Sequence, residues 1–183
     1  WASLAGLWHD LGKFLPDWQK FIRKQVGFDI DAHIEGYSNR PNHSTAGAVL
    51  SIEQFQMLCV GRILAYLVGG HHAGLPDWQP NTAGGDLVNR IYEDAIEGRL
   101  DTRELIIIKG INETQEYIRH PLPTSAPFGV QTPQELAKKQ EYLHLWVRML
   151  FSCLVDADFL DTELFMDPIT AKRRGKYPPL AVL

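Results

Sequence analysis

The amino-acid sequence predicts an all-α fold, a single helical bundle, from the spacing of its apolar residues. These residues recur at intervals of three and four along most of the chain, which is the period of an amphipathic helix. Alternating patterns typical of strands are nearly absent, and Leu105–Ile108 fits a short strand or a helix end equally well. A chain of 183 residues, 45% of them hydrophobic, is long enough to bury the core of one such domain.

Two short helices are predicted at the start of the chain. The apolar stripe of the first consists of Leu4, Leu7, Trp8 and Leu11. Gly12 ends this helix, because glycine permits the chain to turn. The second helix runs from about Pro16 to Gln25, and the polar, aperiodic stretch 27–41 predicts a loop.

The next two predicted helices precede a pair of adjacent histidines. One begins near His43, with the side chain of Asn42 as its cap. The other, Met57–Val68, is predominantly apolar and therefore expected to be buried, and the glycine pair 69–70 ends it. Residues 74–84 are rich in proline, glycine and asparagine, which predicts a loop.

The second half of the chain predicts an amphipathic helix, an irregular stretch and the longest helix. The amphipathic helix is Asp86–Gly98, and three prolines make 101–131 irregular. Thr132–Glu135 has the pattern of a capping box with proline at the first helical position. This box opens a helix that extends to about Thr162.

Charge and cysteine content narrow the class of protein. The formal net charge of −4 gives no overall basic surface for nucleic acid, although bound divalent cations would add positive charge where a phosphate binds. Cys59 and Cys153 lie in apolar helical stretches, so buried free thiols and a reducing, cytoplasmic setting are expected. No apolar stretch has the length of a membrane span and no signal-peptide pattern is present, so no membrane partner is expected.

A sparse set of histidines and carboxylates has the composition of a two-metal hydrolytic site. His9 and Asp10 are adjacent, and Lys13 follows them on the same face of a helical turn. Neutral imidazole suits first-row transition metals, and a carboxylate can bridge two cations. The ammonium group of Lys13 is suited to contact a phosphate oxygen.

His71 and His72 are the second candidate pair. They directly follow the glycine pair, at a corner where both rings can turn toward one ion. The prediction that His43 is a metal ligand is weaker when this residue is taken alone, because a buried histidine that caps a helix is commoner than a metal ligand. Asp158 lies in an apolar part of the longest helix, where a carboxylate needs a metal or an arginine as partner. The other histidines lack this context: His33 and His120 are expected to be solvated in loops, and His144 to be a packing residue.

Four segments carry these residues in a fixed order. They are His9-Asp10-x-x-Lys13, His43-Ser44-x-x-Gly47-Ala48, His71-His72-x-Gly74-Leu75-Pro76-Asp77 and, at 154–163, Leu-Val-Asp-Ala-Asp-Phe-Leu-Asp-Thr-Glu. Together they closely resemble the HD nuclease domain of the type I CRISPR-associated helicase-nuclease, over residues 4–163. The His-Asp pair is shared by the whole HD phosphohydrolase superfamily, whereas the third and fourth segments are typical of a much smaller set of proteins. The resemblance implies the helical bundle of that superfamily.

The resemblance also implies a role for each residue. Asp10 would bridge two metal ions and Lys13 would lie over the scissile phosphate, which makes these two the implied catalytic residues. His9 and Asp158 would bind the first ion. Asp158 is preferred to Asp156 because the superfamily's last ligand follows a small residue.

The second ion would be bound by His43, His71 and His72. Both ions would be divalent transition metals, namely manganese, nickel, cobalt or iron, with magnesium as an alternative. The implied substrate is single-stranded DNA, cut in type I CRISPR interference as an antiviral defence. The implied partners are a superfamily 2 helicase domain, in cis or in trans, and the CRISPR surveillance (Cascade) complex.

Two departures from the family pattern affect these expectations. The family usually carries another histidine upstream of the His-Asp pair, and the eight residues before His9 contain none, so the first ion site is expected to be incomplete. The family commonly continues into a helicase. We therefore expect the nuclease domain at 1–170, with 171–183 as the start of a linker toward an absent helicase domain. This linker contains the basic run 172–176.

Two other functions are compatible with the same residues. An HD phosphohydrolase acting on nucleotides or cyclic nucleotides shares the His-Asp pair, although fewer paired histidines are expected there. The chain could instead be a non-catalytic docking module with degenerate metal sites, because the upstream histidine ligand is missing. Metal analysis together with assays on single-stranded DNA and on nucleotides distinguishes the three.

Overall fold

The computed structural model describes residues 1–24, 42–55, 59–78, 87–95, 127–129 and 133–174. Within these segments 82% of the residues are helical and none belongs to a strand, which confirms the all-α prediction. The described helices are α1 (Ala2–Trp8), α2 (Pro16–Lys24), α3 (Ser44–Gln54), α4 (Cys59–Gly70), α5 (Leu87–Ala95), α6 (Pro133–Lys138), α7 (Gln140–Met166) and α8 (Pro168–Arg173). Two 3₁₀ turns accompany them, Leu11–Phe14 and Pro127–Gly129.

Helices α3 and α4 form the centre of the bundle. Nine consecutive residues of α3, from Ser44 to Ile52, are buried, and small side chains let neighbouring backbones approach them closely. At Gly47 a Cβ atom would clash with the carbonyl oxygen of Trp8 on α1. At Gly61 it would meet the carbonyl oxygen of Ser51 at 2.8 Å. Close packing of α1, α3 and α4 therefore depends on glycine at these two positions.

Helix α7 packs across α1 and α4 through one apolar face. The buried residue of this face is Leu154, and the half-buried ones are Leu143, Trp146, Val147, Leu150 and Phe151. Trp146 meets the ring of Trp1 edge-on, with the ring centroids 5.1 Å apart. Full burial of a large apolar side chain contributes about 1.5–3 kcal/mol and partial burial correspondingly less, so this face contributes to holding α7 on α1 and α4.

The start of α3 has the predicted cap. The side-chain oxygen of Asn42 accepts hydrogen bonds from the backbone N–H groups of Ser44 and Thr45, at 3.0 and 3.4 Å. These amides belong to the first turn of the helix and have no partner within it. His43 lies between Asn42 and the helix, so the cap fixes the backbone position of His43.

The prediction that the fourth helix ends at the glycine pair 69–70 is confirmed, because α4 ends at Gly70 and includes both glycines as its last two residues. The glycines also serve close packing. A Cβ atom at Gly69 would lie 2.8 Å from Cδ1 of Leu87 on α5, and one at Gly70 would lie 3.0 Å from Cδ of Pro76. Both neighbours come from chain that follows the histidine pair, so the glycines let this segment return against α4.

The prediction of one uninterrupted longest helix is wrong. Lys139 has non-helical backbone angles, φ −111° and ψ 21°, and separates α6 from α7. Its ammonium group donates to the carbonyl oxygen of Phe128 at 3.0 Å. At the other end α7 continues beyond Thr162 to Met166. It stops there because Pro168 disfavours a helical conformation in the preceding residue, Asp167.

Two single-residue predictions on α7 are corrected as well. His144 is exposed and is not a packing residue, because it lies on a side of the helix away from the core. Cys153 is exposed although the next residue, Leu154, is buried, since one step along a helix turns the side chain by about 100°. Both cysteines are free, and Cys59 is half-buried.

Several predictions lie outside the described residues. These are the loop 27–41, the run Leu105–Ile108, all of 101–131 except 127–129, and the histidines His33 and His120. The domain limit at residue 170 falls within α8, just before Arg174, which pairs with Glu163 of α7; the division into domains stays a prediction. Among the helices of the described segments, none combines the length and the apolar character required to span a membrane.

Candidate metal centre

The centre is built around the turn between α1 and α2. His9 flanks the end of α1 in a helical conformation, and Asp10 leaves it with φ −105° and ψ 8°. The backbone N–H of Lys13 then donates to the carbonyl oxygen of Asp10 at 2.9 Å, which closes the 3₁₀ turn. Gly12 lies against the backbone of His43, where a Cβ atom would clash with the carbonyl oxygen. The 3₁₀ turn that follows Asp10 and the start of α3 are therefore in direct contact.

The two carboxylate oxygens of Asp10 face different groups. Oδ2 accepts a hydrogen bond from Nζ of Lys13 at 2.6 Å and lies 3.3 Å from Nε2 of His9. Oδ1 lies 3.4 Å from Nε2 of His43 and 3.8 Å from Nε2 of His71. A carboxylate can bridge two cations by directing one oxygen at each, and the two oxygens of Asp10 face different histidines.

One group of potential ligands contains three histidines with Asp10. Its members, Asp10, His43, His71 and His72, have ligand atoms that all lie within 4.8 Å of one another. Nε2 of His43 and Nε2 of His72 are 2.7 Å apart. The ring of Trp18 packs on the buried ring of His43, with the centroids 4.5 Å apart, which restricts the orientation of that histidine.

A second group consists of His9, His71 and Asp158, again within 4.8 Å of one another. Oδ1 of Asp158 lies 3.6 Å from Nε2 of His9, whereas Asp156 is exposed on another side of α7. His71 belongs to both groups. Since only its Nε2 is directed at the centre, it can serve one ion at a time.

The backbone orients two of these rings. Nδ1 of His9 lies 2.7 Å from the carbonyl oxygen of Gly6, and Nδ1 of His71 lies 2.6 Å from that of Val68. A carbonyl oxygen only accepts, so each Nδ1 carries the proton and each Nε2 is left for the centre. In both cases the carbonyl lies three residues before the histidine, on the last turn of a helix.

Three atoms at the centre are buried with no hydrogen-bond partner among the described residues: Nε2 of His9, Oδ1 of Asp10 and Nε2 of His71. A buried polar atom left without a partner destabilises a protein by about 1–3 kcal/mol. Two imidazole nitrogens and a carboxylate oxygen form a donor set that divalent transition metals prefer. The residues present therefore fit a metal ion.

Burial keeps two of the histidines neutral. It lowers the pKa of His71 to about 4, and the nearby His9 adds to this effect. Burial likewise lowers the pKa of His72 to about 3, with further contributions from His71 and His43. Both imidazoles are therefore neutral at neutral pH, which is the protonation state that a metal ligand needs.

The pKa of His9 shifts in the opposite direction, upward. Burial opposes its charged form, but the carboxylates of Asp10 and Asp158 outweigh burial and raise its pKa to about 10. Burial also opposes ionisation of Asp10, yet His43 and His9 hold the pKa of this carboxyl far below its usual range. The pKa of Asp158 is lowered as well, by His9 against the effect of burial.

We expect unequal binding of two metal ions. The first equivalent should fill the group of Asp10 with three histidines, and the second should bind more weakly at His9 and Asp158. Binding there must displace the proton of His9. At pH values below the pKa of His9, the affinity for the second ion should therefore increase about tenfold for each unit by which the pH is raised. Isothermal titration of the metal-free protein at pH 6, 7 and 8, in buffers of different ionisation enthalpy, measures both affinity and proton release. Two sites of equal, tight affinity would contradict this expectation.

The structure brings all the sequence-predicted site residues into one centre, with one difference in detail. The ammonium group of Lys13, expected over a phosphate, pairs with Asp10. The contact between Trp18 and His43 was not predicted, because no local pattern indicates it. The carbonyl acceptors at Gly6 and Val68 were not predicted either, although each lies three residues before its histidine, a spacing that the sequence shows.

A comparison with protein families agrees with this geometry. The family model described as Cas3, HD domain, matches residues 1–147. No curated protein matches the chain. The match contains every site residue except Asp158, which lies further along the continuous helix α7. Since the match covers most of the sequence, the chain belongs to the family of Cas3 HD domains, which are CRISPR-associated nucleases.

Proposed function

We propose that this protein is a metal-dependent nuclease that hydrolyses phosphodiester bonds of single-stranded DNA in type I CRISPR interference. The observation that carries the proposal is the position of Asp10, whose Oδ1 faces His43 and His71 and whose Oδ2 faces His9. A centre of this kind suits in-line displacement at a phosphate, because two cations can stabilise the attacking and the leaving oxygen. Membership of the Cas3 HD family supports the nuclease class.

We assign two divalent transition-metal ions to the centre. The residues that would hold one ion are His43, His71 and His72 with Asp10, and those that would hold the other are His9 and Asp158 with Asp10. When bound, such ions lower the pKa of a bound water and offset the charge of a phosphate. The negative charges of Asp10 and Asp158 would balance part of the positive charge of such ions.

Lys13 is the described residue best placed to contact the substrate. Its side chain is 36% exposed while its ammonium group pairs with Oδ2 of Asp10, so it lies between the centre and solvent. A point charge in this position can bind a phosphate oxygen and orient the scissile bond. Lys13 would exchange part of its contact with Asp10 for the phosphate.

Replacing Lys13 with alanine should slow cleavage and leave the metal content unchanged. Loss of one preorganised charge contact lowers a rate by roughly 10²-fold. The measurement is the cleavage rate at saturating manganese, with the metal content per chain determined by elemental analysis. Loss of the metal in this variant would instead show that Lys13 supports the ligands through its pair with Asp10.

The isolated chain should cut single-stranded DNA and leave intact duplex uncut. A phosphate must reach a centre whose ligands are buried or half-buried between helices, and a flexible strand enters such a site more easily than a rigid duplex. Duplex binding also depends on many lysine and arginine contacts to phosphate, and the net charge is −4. The test incubates the manganese-loaded protein with labelled single strands, blunt duplex and cyclic nucleotides at equal salt. Comparable cutting of duplex would contradict the reasoning about access, and activity on nucleotides alone would favour the phosphohydrolase alternative.

The proposed partners follow from this restriction. If the chain acts only on single strands, duplex opening must be supplied by a superfamily 2 helicase, in cis or in trans. Recruitment to a target would be supplied by the CRISPR surveillance complex. Both partners are inferred from the family and belong to the proposal.

A further inference from the structure

The 3₁₀ turn beside the metal centre exposes an aromatic side chain. Phe14 is 47% exposed, whereas the leucines at the two ends of the turn, Leu11 and Leu15, are 2% and 8% exposed. These leucines anchor the turn in the core. The part of Phe14 that remains in contact with water gains no stabilisation from burial, so it is available to a ligand.

The turn holds Phe14 in a fixed position. The backbone N–H of Leu15 donates to the carbonyl oxygen of Gly12 at 3.1 Å. The side-chain amide of Gln19, on α2, donates to the carbonyl oxygen of Lys13 at 2.6 Å, and its backbone N–H donates to that of Leu15 at 2.9 Å. The carbonyl groups on both sides of Phe14 are therefore tied to α2. A ligand that binds the ring has little backbone freedom to overcome, because the turn is already ordered.

The position of this ring indicates what it binds. Phe14 directly follows Lys13, which is 36% exposed and whose ammonium group lies 2.6 Å from Oδ2 of Asp10. Two consecutive side chains therefore present a cation and an aromatic ring at the edge of the centre. A lysine binds phosphate as a point charge, and an aromatic ring stacks on a nucleobase. A nucleotide strand carries both groups.

The spacing along the turn is compatible with such a strand. Phe14 is four residues beyond Asp10, which is about 8 Å at the rise of a 3₁₀ helix. Successive phosphates of a stacked strand are about 3.4 Å apart along its axis, so this distance corresponds to roughly two nucleotides. A strand with a phosphate at the centre therefore has a base within reach of the ring.

We propose that Phe14 is a base-stacking residue, whose ring contacts a base of the single strand within about two nucleotides of the scissile phosphate. This inference rests on the proposed nuclease function and adds a contact to the base. The face of a base is accessible to the ring only where the strand is unpaired, so the contact favours single strands over duplex. Every base has such a face, and the contact is therefore tolerant of sequence.

The test compares two ten-nucleotide strands of equal charge, one of thymidylate and one with a tetrahydrofuran abasic residue at every position. Both offer the same phosphates, so the difference in affinity measures recognition of the base. Fluorescence anisotropy with the manganese-loaded full chain, at 4 °C and within minutes of mixing, measures each affinity. The wild type should bind the thymidylate strand more tightly. Phe14→Ala should weaken this binding roughly 5- to 100-fold and leave the abasic strand unaffected.

Three further variants separate stacking from a structural effect. Phe14→Trp retains an aromatic face and should bind thymidylate at least as tightly as the wild type, whereas Phe14→Leu retains apolar bulk alone and should behave as Phe14→Ala. Phe128→Ala is the matched control and should leave both affinities unchanged. Phe128 is 46% exposed, but its ring lies beside Trp146, twelve residues or about 18 Å before Asp158 on α7. Circular dichroism establishes that each variant is folded.

A wild-type protein that binds the two strands equally would overturn the stacking contact. A Phe14→Leu protein that still prefers thymidylate as strongly as the wild type would overturn it too. Cleavage of the same strands, followed on a gel, distinguishes this inference from the proposed function. Stacking holds substrate and transition state alike, so Phe14→Ala should raise KM for thymidylate and leave kcat nearly unchanged. Binding through Phe14 without cleavage would contradict the nuclease function alone, and cleavage of both strands with equal kcat/KM would contradict the stacking contact alone.

Discussion

Asp10→Ala is expected to abolish cleavage of single-stranded DNA, with a loss of roughly 10³-fold or more in rate. The reason is that this one side chain directs Oδ2 toward His9 and Oδ1 toward His43 and His71. Its removal takes a ligand from both and leaves the positive charges of His9 and Lys13 without their common counter-charge. Single-turnover cleavage measured with manganese determines the loss.

The fold of the Asp10→Ala protein should survive, because Asp10 lies at the surface of the core and contributes no apolar packing. Circular dichroism and thermal unfolding check this. Asp161→Ala is a suitable control, since it removes an exposed carboxylate of α7 and should leave the rate unchanged. A well-folded Asp10→Ala protein with the wild-type rate would show that the reaction does not use this centre.

Gly12→Ala should destabilise the protein and disrupt the centre together. The added Cβ atom would clash with the carbonyl oxygen of His43, and backbone on both sides leaves little room for adjustment. The 3₁₀ turn must then move away from α3, which separates Asp10 from His43. We expect a loss of about 1–3 kcal/mol in the free energy of unfolding. We also expect weaker binding of the metal ion at the group of Asp10, His43, His71 and His72.

Gly6→Ala provides the matched control for this substitution. No atom lies within 4 Å of a Cβ placed at Gly6, and alanine favours a helix over glycine by about 1 kcal/mol. This variant should therefore be as stable as the wild type or more so. Chemical denaturation and metal titration of the two variants measure both effects. Unchanged metal binding in Gly12→Ala would show that the turn can shift without affecting the ligands.

Features that depend on neighbouring residues in the chain could be predicted from the sequence. Helical spacing identified the all-α class, and the cap at Asn42 was predicted because it joins residues two and three positions apart. The chemical types of the candidate ligands, together with the family resemblance, indicated one site. The structure places all six predicted ligands in the two groups around Asp10.

Features that depend on contacts between distant segments could not be predicted. The break at Lys139 accompanies a hydrogen bond to Phe128, eleven residues away. The glycines that end α4 let Leu87 of α5 and Pro76 pack closely against this helix, which no local pattern shows. The position of His71 between the two groups is likewise a product of the assembled bundle.

The contact between His9 and Asp158 has a consequence for folding. These residues are separated by 149 positions and come together only when α7 docks on α1. Contacts of such long sequence separation form late, because the entropy of closing a long loop must first be overcome. A cation shared by the two side chains would cross-link this loop and limit the freedom of the unfolded chain, as a disulfide does. The group of His9 and Asp158 therefore forms only in a chain whose two halves have already assembled.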